Sequence, residues 1–237
     1  EDTRRTRGLL DRHGIAARVE SHHRHNEASR LDGVLERLRA GERVALVSDA
    51  GLPGVNDPGG RLLAAAVAVG IEVTVLPGAS AVETALVASA LGAETYAFVG
   101  YLPRRDSALR AFAAELVGWE GAVVAFESPR RLAASLRVLA RGQPERPAAV
   151  CRELTKRFEE VVRGSLAELA ERFSEPLRGE VTLVLGPWEA GSSGADEQAA
   201  QAAVSELVAS GTPRRVAADV VARLTGVGRN TLYRGSL

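Results

Sequence analysis

Residues 43–59, RVALVSDAGLPGVNDPG, run a β-branched apolar stretch straight into a loop crowded with glycine, proline and aspartate. No other segment narrows the fold as much. A short apolar run ending in a Gly/Pro/Asp turn is the pattern of a buried strand in an α/β sheet, and ligands sit beyond the carboxyl ends of such strands. A turn without bulky side chains lets the backbone approach a ligand closely. Asp49 and Asp57 bracket the loop. It therefore offers acceptors for polar ligand groups, not a nest of amides for phosphate.

The flanking sequence alternates in the same way. Arg43–Val47 and Glu72–Leu76 read as strands around a helix from about Asp57 to Val69. Asp57 is placed to cap that helix, with Pro58 at its first position and Gly70 as its stop. A second helix, Ser80–Leu91, leaves the PGASA turn. This β-α-β-α order predicts a parallel sheet with crossover helices. The series restarts at Tyr96, with strands at Ala97–Tyr101, Ala122–Phe126, Ala149–Arg152 and Val181–Leu185. Helices are predicted at Ser107–Val117, Arg131–Leu139 and Leu166–Arg172, the last opened by a Ser165/Glu168 capping box. The expected organisation is α/β: one domain over 1–94, a second over 95–188, a Gly/Ser-rich linker over 189–195, and a helical tail over 196–237. The tail ends in AADVVARLTGVGRNTLYR, which has the look of a helix-turn-helix with Gly226 at its turn.

Composition excludes several classes. The chain has 237 residues, enough for two ordinary domains. Its one cysteine, Cys151, excludes an internal disulfide framework and fits a reducing, cytoplasmic setting. No apolar run approaches the roughly 18–20 residues of a membrane-spanning helix. The chain has no methionine and opens at Glu1, so a natural initiator upstream is expected. No Gly-Lys-Ser/Thr P-loop is present, Gly51, Gly54 and Gly59 have the wrong spacing for a dinucleotide fingerprint, and no serine-hydrolase elbow occurs. His22, His23 and His25 lie on a polar stretch without zinc spacing, so no metal is expected.

Net charge is zero, so nucleic-acid binding would have to come from local clusters. Residues 128–157 carry eight basic side chains against Glu145 and Glu153, and residues 212–234 carry five arginines against Asp219. Such surfaces are compatible with phosphate contacts and equally common as solvated faces. Of the 30 basic residues only Lys156 is a lysine. Arginine cannot lose its proton in a protein, whereas a lysine can shift its pKa when buried.

Five motifs in order carry a resemblance. They are Asp2-Thr3-Arg4 after Glu1, Ser48-Asp49-Ala50-Gly51 with Pro53 and Asp57-Pro58-Gly59, Leu76–Ala81, Gly100–Pro103, and Arg152-Glu153-Leu154-Thr155-Lys156. Asn230, Leu232 and Tyr233 add to them near the end. Together they resemble the tetrapyrrole-methylase-like, class III S-adenosylmethionine-dependent methyltransferases, and within them the bacterial enzymes that methylate the ribose 2′-hydroxyl of a cytidine in small-subunit ribosomal RNA. Leu52 stands where that family usually has threonine, Asn56 where it has serine, and Arg130 where a histidine is common. The family also begins with a strand and a TPIGN-type turn upstream of the present Glu1. On that resemblance the central strand of the first sheet is expected to be missing and the cofactor pocket incomplete.

The resemblance implies two α/β domains with a cofactor cleft between them, a small helical C-terminal domain, and a homodimer. It implies S-adenosylmethionine as cofactor, with contacts from Ser48, Asp49, Ala50, Gly51, Pro53, Pro77, Gly78, Ala79, Ser80 and Ala81. Leu154, Gly179 and Glu180 would add contacts from the second domain. The reaction is attack of a ribose hydroxyl on a sulfonium methyl group, so positioning should dominate catalysis. Lys156 is the leading candidate for a base or assisting cation, with Glu153 and Glu127 as weaker candidates that serve equally well as orienting acceptors. Arg104, Arg105, Arg130, Arg131 and Arg152 are candidates for tracking RNA phosphates. Rival readings are a tetrapyrrole methyltransferase, a helix-turn-helix DNA-binding regulator with a ligand-sensing domain, and a non-catalytic RNA-binding remnant.

Overall fold

The computed structural model describes residues 2–49, 51–92, 94–116, 119–188, 194–225 and 227–235. The chain divides into two compact units, Glu1–Ala81 and Val82–Leu237. Among the described residues no helix is long and apolar enough to cross a membrane.

The first unit is helical where it is regular. Helix α1 (Thr3–Arg12) is capped by Asp2, whose carboxylate accepts from the Arg4 amide at 2.9 Å. Helices α2 (Glu27–Arg39) and α3 (Gly60–Ala68) pack through Leu35, Leu62 and Ala66, with Leu31, Val34, Leu38, Ala65 and Ile71 around them. The expected strands Arg43–Val47 and Glu72–Leu76 do not form. Both runs lack ladder pairing, and Val44, Val47, Val73, Val75 and Leu76 are exposed. β-branched composition favours an extended backbone, but a strand exists only when a neighbour accepts its hydrogen bonds. Among the described residues neither run has such a neighbour.

Helix α3 also starts later than its sequence suggests. Its N-cap is Gly59 at φ +122°, with no side-chain cap, so Asp57 and Pro58 lie outside the helix. The carboxylate of Glu27 takes the capping role from a distance, accepting from the amides of Gly59 at 3.0 Å and Arg61 at 3.1 Å. The expected stop at Gly70 is present: its φ of +77° turns the chain, and the Ile71 amide reaches back to the Ala66 carbonyl at 3.0 Å.

The second unit holds one five-stranded sheet of β1 (Tyr96–Tyr101), β2 (Ala122–Glu127), β3 (Pro147–Arg152), β4 (Glu160–Ser165) and β5 (Val181–Leu185), in the order β1-β2-β5-β3-β4. Four of these match expected strands to within a few residues. The parallel arrangement holds only for β1 and β2; β5 runs antiparallel between β2 and β3, and β4 pairs antiparallel with β3 at the edge. Strand β4 gave no clear apolar pattern because an edge strand buries little, and only Val162 in it is fully buried.

Period-2 alternation sends the two faces of the sheet into two cores. Val123, Ala125, Ala148, Val150, Leu183 and Leu185 meet helices α5 (Asp106–Glu115), α6 (Leu132–Gly142) and α7 (Leu166–Arg172). Ala122, Val124, Ala149, Cys151 and Val184 meet Val82, Ala85 and Leu86 of α4 (Ala81–Ser89). A strand buried on both faces reads as a continuous apolar run, as VTLVL does. The Ser165/Glu168 capping box of α7 is formed on both sides. Arg146 is fully buried, with no ion pair among the described residues, donating to the carbonyls of Gly186 at 2.9 Å and Leu116 at 3.3 Å and to Gln143 Oε1 at 2.8 Å. Burial lowers its pKa to about 10, and it remains charged at neutral pH.

The tail forms α8 (Gly194–Ala209), α9 (Arg214–Thr225) and α10 (Arg229–Gly235) around Val204, Ala217, Ala218, Val221, Val227 and Leu232. Residues 189–193 of the expected linker and Gly226 of the expected turn lie outside the described residues.

Candidate functional site

The 48–59 loop is built from backbone conformations that side chains resist. Gly51, Gly54, Asn56 and Gly59 all have φ between +60° and +122°. Asparagine is among the few non-glycine residues that tolerate this region, which accounts locally for Asn56 in place of serine. The Gly54 amide donates to the Pro58 carbonyl at 3.2 Å, the Ser48 hydroxyl to the Gly51 carbonyl at 3.3 Å, and Arg24 to the Asn56 carbonyl at 3.0 Å. Asp49 is exposed and accepts from the Asp2 amide at 3.0 Å. A β-carbon at Gly51 or Gly78 would meet nothing within 4 Å, so the chain leaves open space beside both expected cofactor turns. Pro77, Gly78 and Ala79 are exposed, and Ala81 opens α4. Ala50 lies outside the described residues.

Behind this loop sits Glu27, which carried no signal in the sequence because its partners lie 32 and 34 residues away. Burial opposes its ionisation, but the Gly59 and Arg61 amides outweigh that and hold its pKa below the usual value. His22 Nε2 stands 3.7 Å from the same carboxylate.

In the second unit, topology gathers the remaining candidates at one end of the sheet. Strands β2 and β3 both run antiparallel to β5, and Glu127 and Arg152 both pair with Val181. The segments after β1, β2 and β3 and the one before β5 therefore emerge together. They carry Pro103–Arg105, Ser128–Arg131, Glu153–Lys156 and Gly179–Glu180. Ligand sites of open α/β sheets lie beyond such carboxyl ends.

Glu127 is buried there, accepting from the Ser128 amide at 2.6 Å and the Ser135 hydroxyl at 2.5 Å, with Arg131 at 3.4 Å. Arg131 also donates to the Pro103 carbonyl at 2.7 Å. This network ties the loop after β1 to the loop after β2, which is an orienting task. Arg152 is held by Glu160 through two bonds of 2.8 and 3.0 Å. Arg104, Arg105 and Arg130 are exposed.

Lys156 stands between two carboxylates, 3.0 Å from Glu153 and 3.1 Å from Glu180. The hydrogen bond that it donates to Glu153 raises its pKa above the ordinary lysine value despite some desolvation. Glu153 is shifted down, first by the Glu180 amide at 2.8 Å and then by Lys156. Glu153 and Thr155 adopt φ of +50° and +65°, and Gly179 has φ of +98°. A β-carbon on Gly179 would lie 2.6 Å from Glu153 Cγ, so only glycine lets these two segments close on each other. Leu154 packs partly buried against the core under α4. The electrostatics make Lys156 a fixed cation, in contrast to a lysine poised to accept a proton.

Two open concavities lie elsewhere: about 560 Å³ beside Asp219, Ala222, Arg223 and Arg229, and about 290 Å³ beside Arg18, Glu20, Ser29, Arg30 and Arg37. Neither contains an expected cofactor residue. Motif and backbone conformation, not a walled cavity, identify the candidate turns.

The family described as Tetrapyrrole (Corrin/Porphyrin) Methylases matches residues 2–170. The chain is 45% identical over 239 residues to Ribosomal RNA small subunit methyltransferase I of Micromonospora olivasterospora, covering 98% of this chain and 75% of that one. It is 40% identical over 244 residues to the protein of the same name from Mesorhizobium japonicum, covering 99% and 80%. Among solved structures, diphthine synthase superposes with a TM-score of 0.55 at 16% identity, covering 75% of this chain and 72% of that one, which speaks to the fold alone. By its sequence match, the chain belongs to the tetrapyrrole (corrin/porphyrin) methylase family.

Proposed function

We propose that this protein is an S-adenosylmethionine-dependent methyltransferase acting on small-subunit ribosomal RNA, at the ribose 2′-hydroxyl of a cytidine. The observation that carries the reading is similarity over 98–99% of the chain to two relatives named for methylating that RNA. The Glu153–Lys156 segment, held beside Gly179-Glu180 at the sheet end, supports it. A tetrapyrrole acceptor is not better supported, since both of those relatives are named for ribosomal RNA.

The cofactor, when bound, supplies a methyl group already activated by its positive sulfur. The open turns at Ser48–Pro53 and Pro77–Ala81 fit such a ligand: they present backbone and the Asp49 carboxylate to its polar groups and leave space at Gly51 and Gly78. Leu154, Gly179 and Glu180 are the contacts proposed from the second unit. A cofactor held there would supply its methyl group to the ribose 2′-oxygen and leave as the neutral thioether, and the hydroxyl proton would pass to solvent or a carboxylate. Lys156 serves as the cation that eases loss of the hydroxyl proton, by stabilising the negative charge left on the 2′-oxygen. Glu153 positions Lys156, and Glu127 positions the loop of Ser128–Arg131. Arg104, Arg105 and Arg130 meet backbone phosphates, while Arg131 and Arg152 shape the loops that present them. We place the enzyme in the cytoplasm as a homodimer.

Mass spectrometry of small-subunit RNA from cells with and without the gene tests this directly. Loss of one ribose methyl group at a cytidine is expected. An unchanged RNA methylation pattern overturns the reading.

A further inference from the structure

We propose that the tip of the β3–β4 hairpin is a stacking platform for an unpaired nucleobase, made by Phe158 and the guanidinium of Arg157. The inference rests on the RNA-directed reading above and names the residues that would grip the strand beside the acceptor nucleotide.

Phe158 is 66% exposed, an unusual setting for a large apolar ring. The aromatic side chains of β1 and β2 are engaged: Phe98 and Tyr101 pack edge-on against Phe126, at 4.9 and 5.7 Å, and the Tyr96 hydroxyl donates to Glu83 at 2.8 Å. Phe158 has instead the Arg157 guanidinium, 5.5 Å from its ring centre. An aromatic face beside a planar cation matches the chemistry of a base in single-stranded RNA, which stacks on rings and guanidinium planes alike.

The tip is also stiff. The Thr155 amide donates to Glu159 Oε2 at 2.6 Å, the Glu159 amide to the Lys156 carbonyl at 3.1 Å, and the Lys156 amide to the Glu153 carbonyl at 3.0 Å. These bonds order the turn before any ligand arrives, so little entropy remains to be lost on binding. The nearby acids have partners of their own: Glu159 accepts from the Thr155 amide, Glu160 holds Arg152, and Glu153 and Glu180 hold Lys156. The cation beside the ring is therefore Arg157. A lone ring buries on the order of 150–250 Å², far below the roughly 1,200 Å² of a stable protein interface, so the patch suits a base better than a second copy of the chain.

Full-length wild type, Phe158→Ala, Phe158→Trp and Arg157→Ala are compared in methyl-transfer assays on unmethylated small ribosomal subunits. Phe158→Ala should raise KM for the subunit about 10- to 100-fold, with kcat, cofactor affinity and melting temperature near wild type. Arg157→Ala should fall between. Phe158→Trp should restore KM, and its added fluorescence should be quenched by a single-stranded oligoribonucleotide. An unchanged KM in Phe158→Ala overturns the platform. So does a change in sedimentation without a change in KM, which would mark a contact between copies. A wild-type chain that methylates no RNA defeats the parent reading instead, and oligoribonucleotide quenching of the Phe158→Trp variant then decides the platform alone.

Discussion

Lys156 illustrates how a single residue's role depends on what surrounds it. As the one lysine among arginines it invited the idea of a proton acceptor, since lysine can titrate where arginine cannot. Its two carboxylate partners push the pKa the other way, so the folded protein holds an ammonium at neutral and mildly basic pH. Two outcomes are expected. Lys156→Ala should abolish methyl transfer with cofactor affinity nearly intact, while Lys156→Arg, which keeps the charge, should retain measurable turnover. The wild-type rate should show no limb from this group between about pH 7 and 9. An inactive Arg variant alongside a rising alkaline limb would restore lysine as the base. Glu27 makes the opposite case, a residue of no apparent interest that anchors the start of α3. Replacing it with glutamine should cost about 1–3 kcal/mol, read by urea denaturation, because the buried Gly59 amide and the Arg61 amide lose a charged acceptor. Its folded pKa lies below the ordinary 4.5. The wild-type advantage is therefore fully present above that value and fades as pH falls through the lowered one.

Whether an element formed depended on where its hydrogen bonds could go. Helix α7 was readable to the residue because its cap is local: Ser165 and Glu168 satisfy each other's amides within one turn. Ser165→Ala should lower stability by about 1 kcal/mol in the same denaturation assay. Helix α3 was misjudged at its start because its acceptor comes from α2, and no local pattern announces a partner 32 residues away. The runs at Arg43–Val47 and Glu72–Leu76 have strand composition without strand pairing. Strand β4 has pairing without strand composition. At the site, the glycine at 179 is the clearest element-scale constraint. Gly179→Ala must strain a φ of +98° and displace the Glu153 side chain. It should destabilise the protein by about 1–3 kcal/mol and, through Glu153 and Lys156, slow methyl transfer more than it weakens cofactor binding. Equal losses in both would mean that the strain is not transmitted to Lys156.

The molecule as a whole distributes its order unevenly. The sheet of the second unit carries both cores, with Val123, Val124, Ala149, Val150, Leu183 and Val184 fully buried. The first unit rests on the small cluster of Leu35, Leu62 and Ala66. Amide hydrogen exchange should therefore be slowest in β2, β3 and β5. It should be fast over residues 43–47 and 72–76, where the backbone has no ladder to protect it. Strong protection of those two runs in the isolated chain would show that they are paired after all.

The sequence by itself determined the α/β class, the sheet-forming runs of the second unit, the turns built on glycine, and the family, because apolar period, capping chemistry and motif order are local properties of the chain. Only the tertiary structure decided that β5 inserts antiparallel between β2 and β3, which brings Glu127, Arg152, Lys156 and Gly179 to one end of one sheet. It alone revealed Glu27 as the cap of a distant helix and Lys156 as a cation held by two acids. Hydrogen-bond partners and charge neighbours far apart in sequence leave no trace in local composition, yet they set pairing, protonation and the placement of the site.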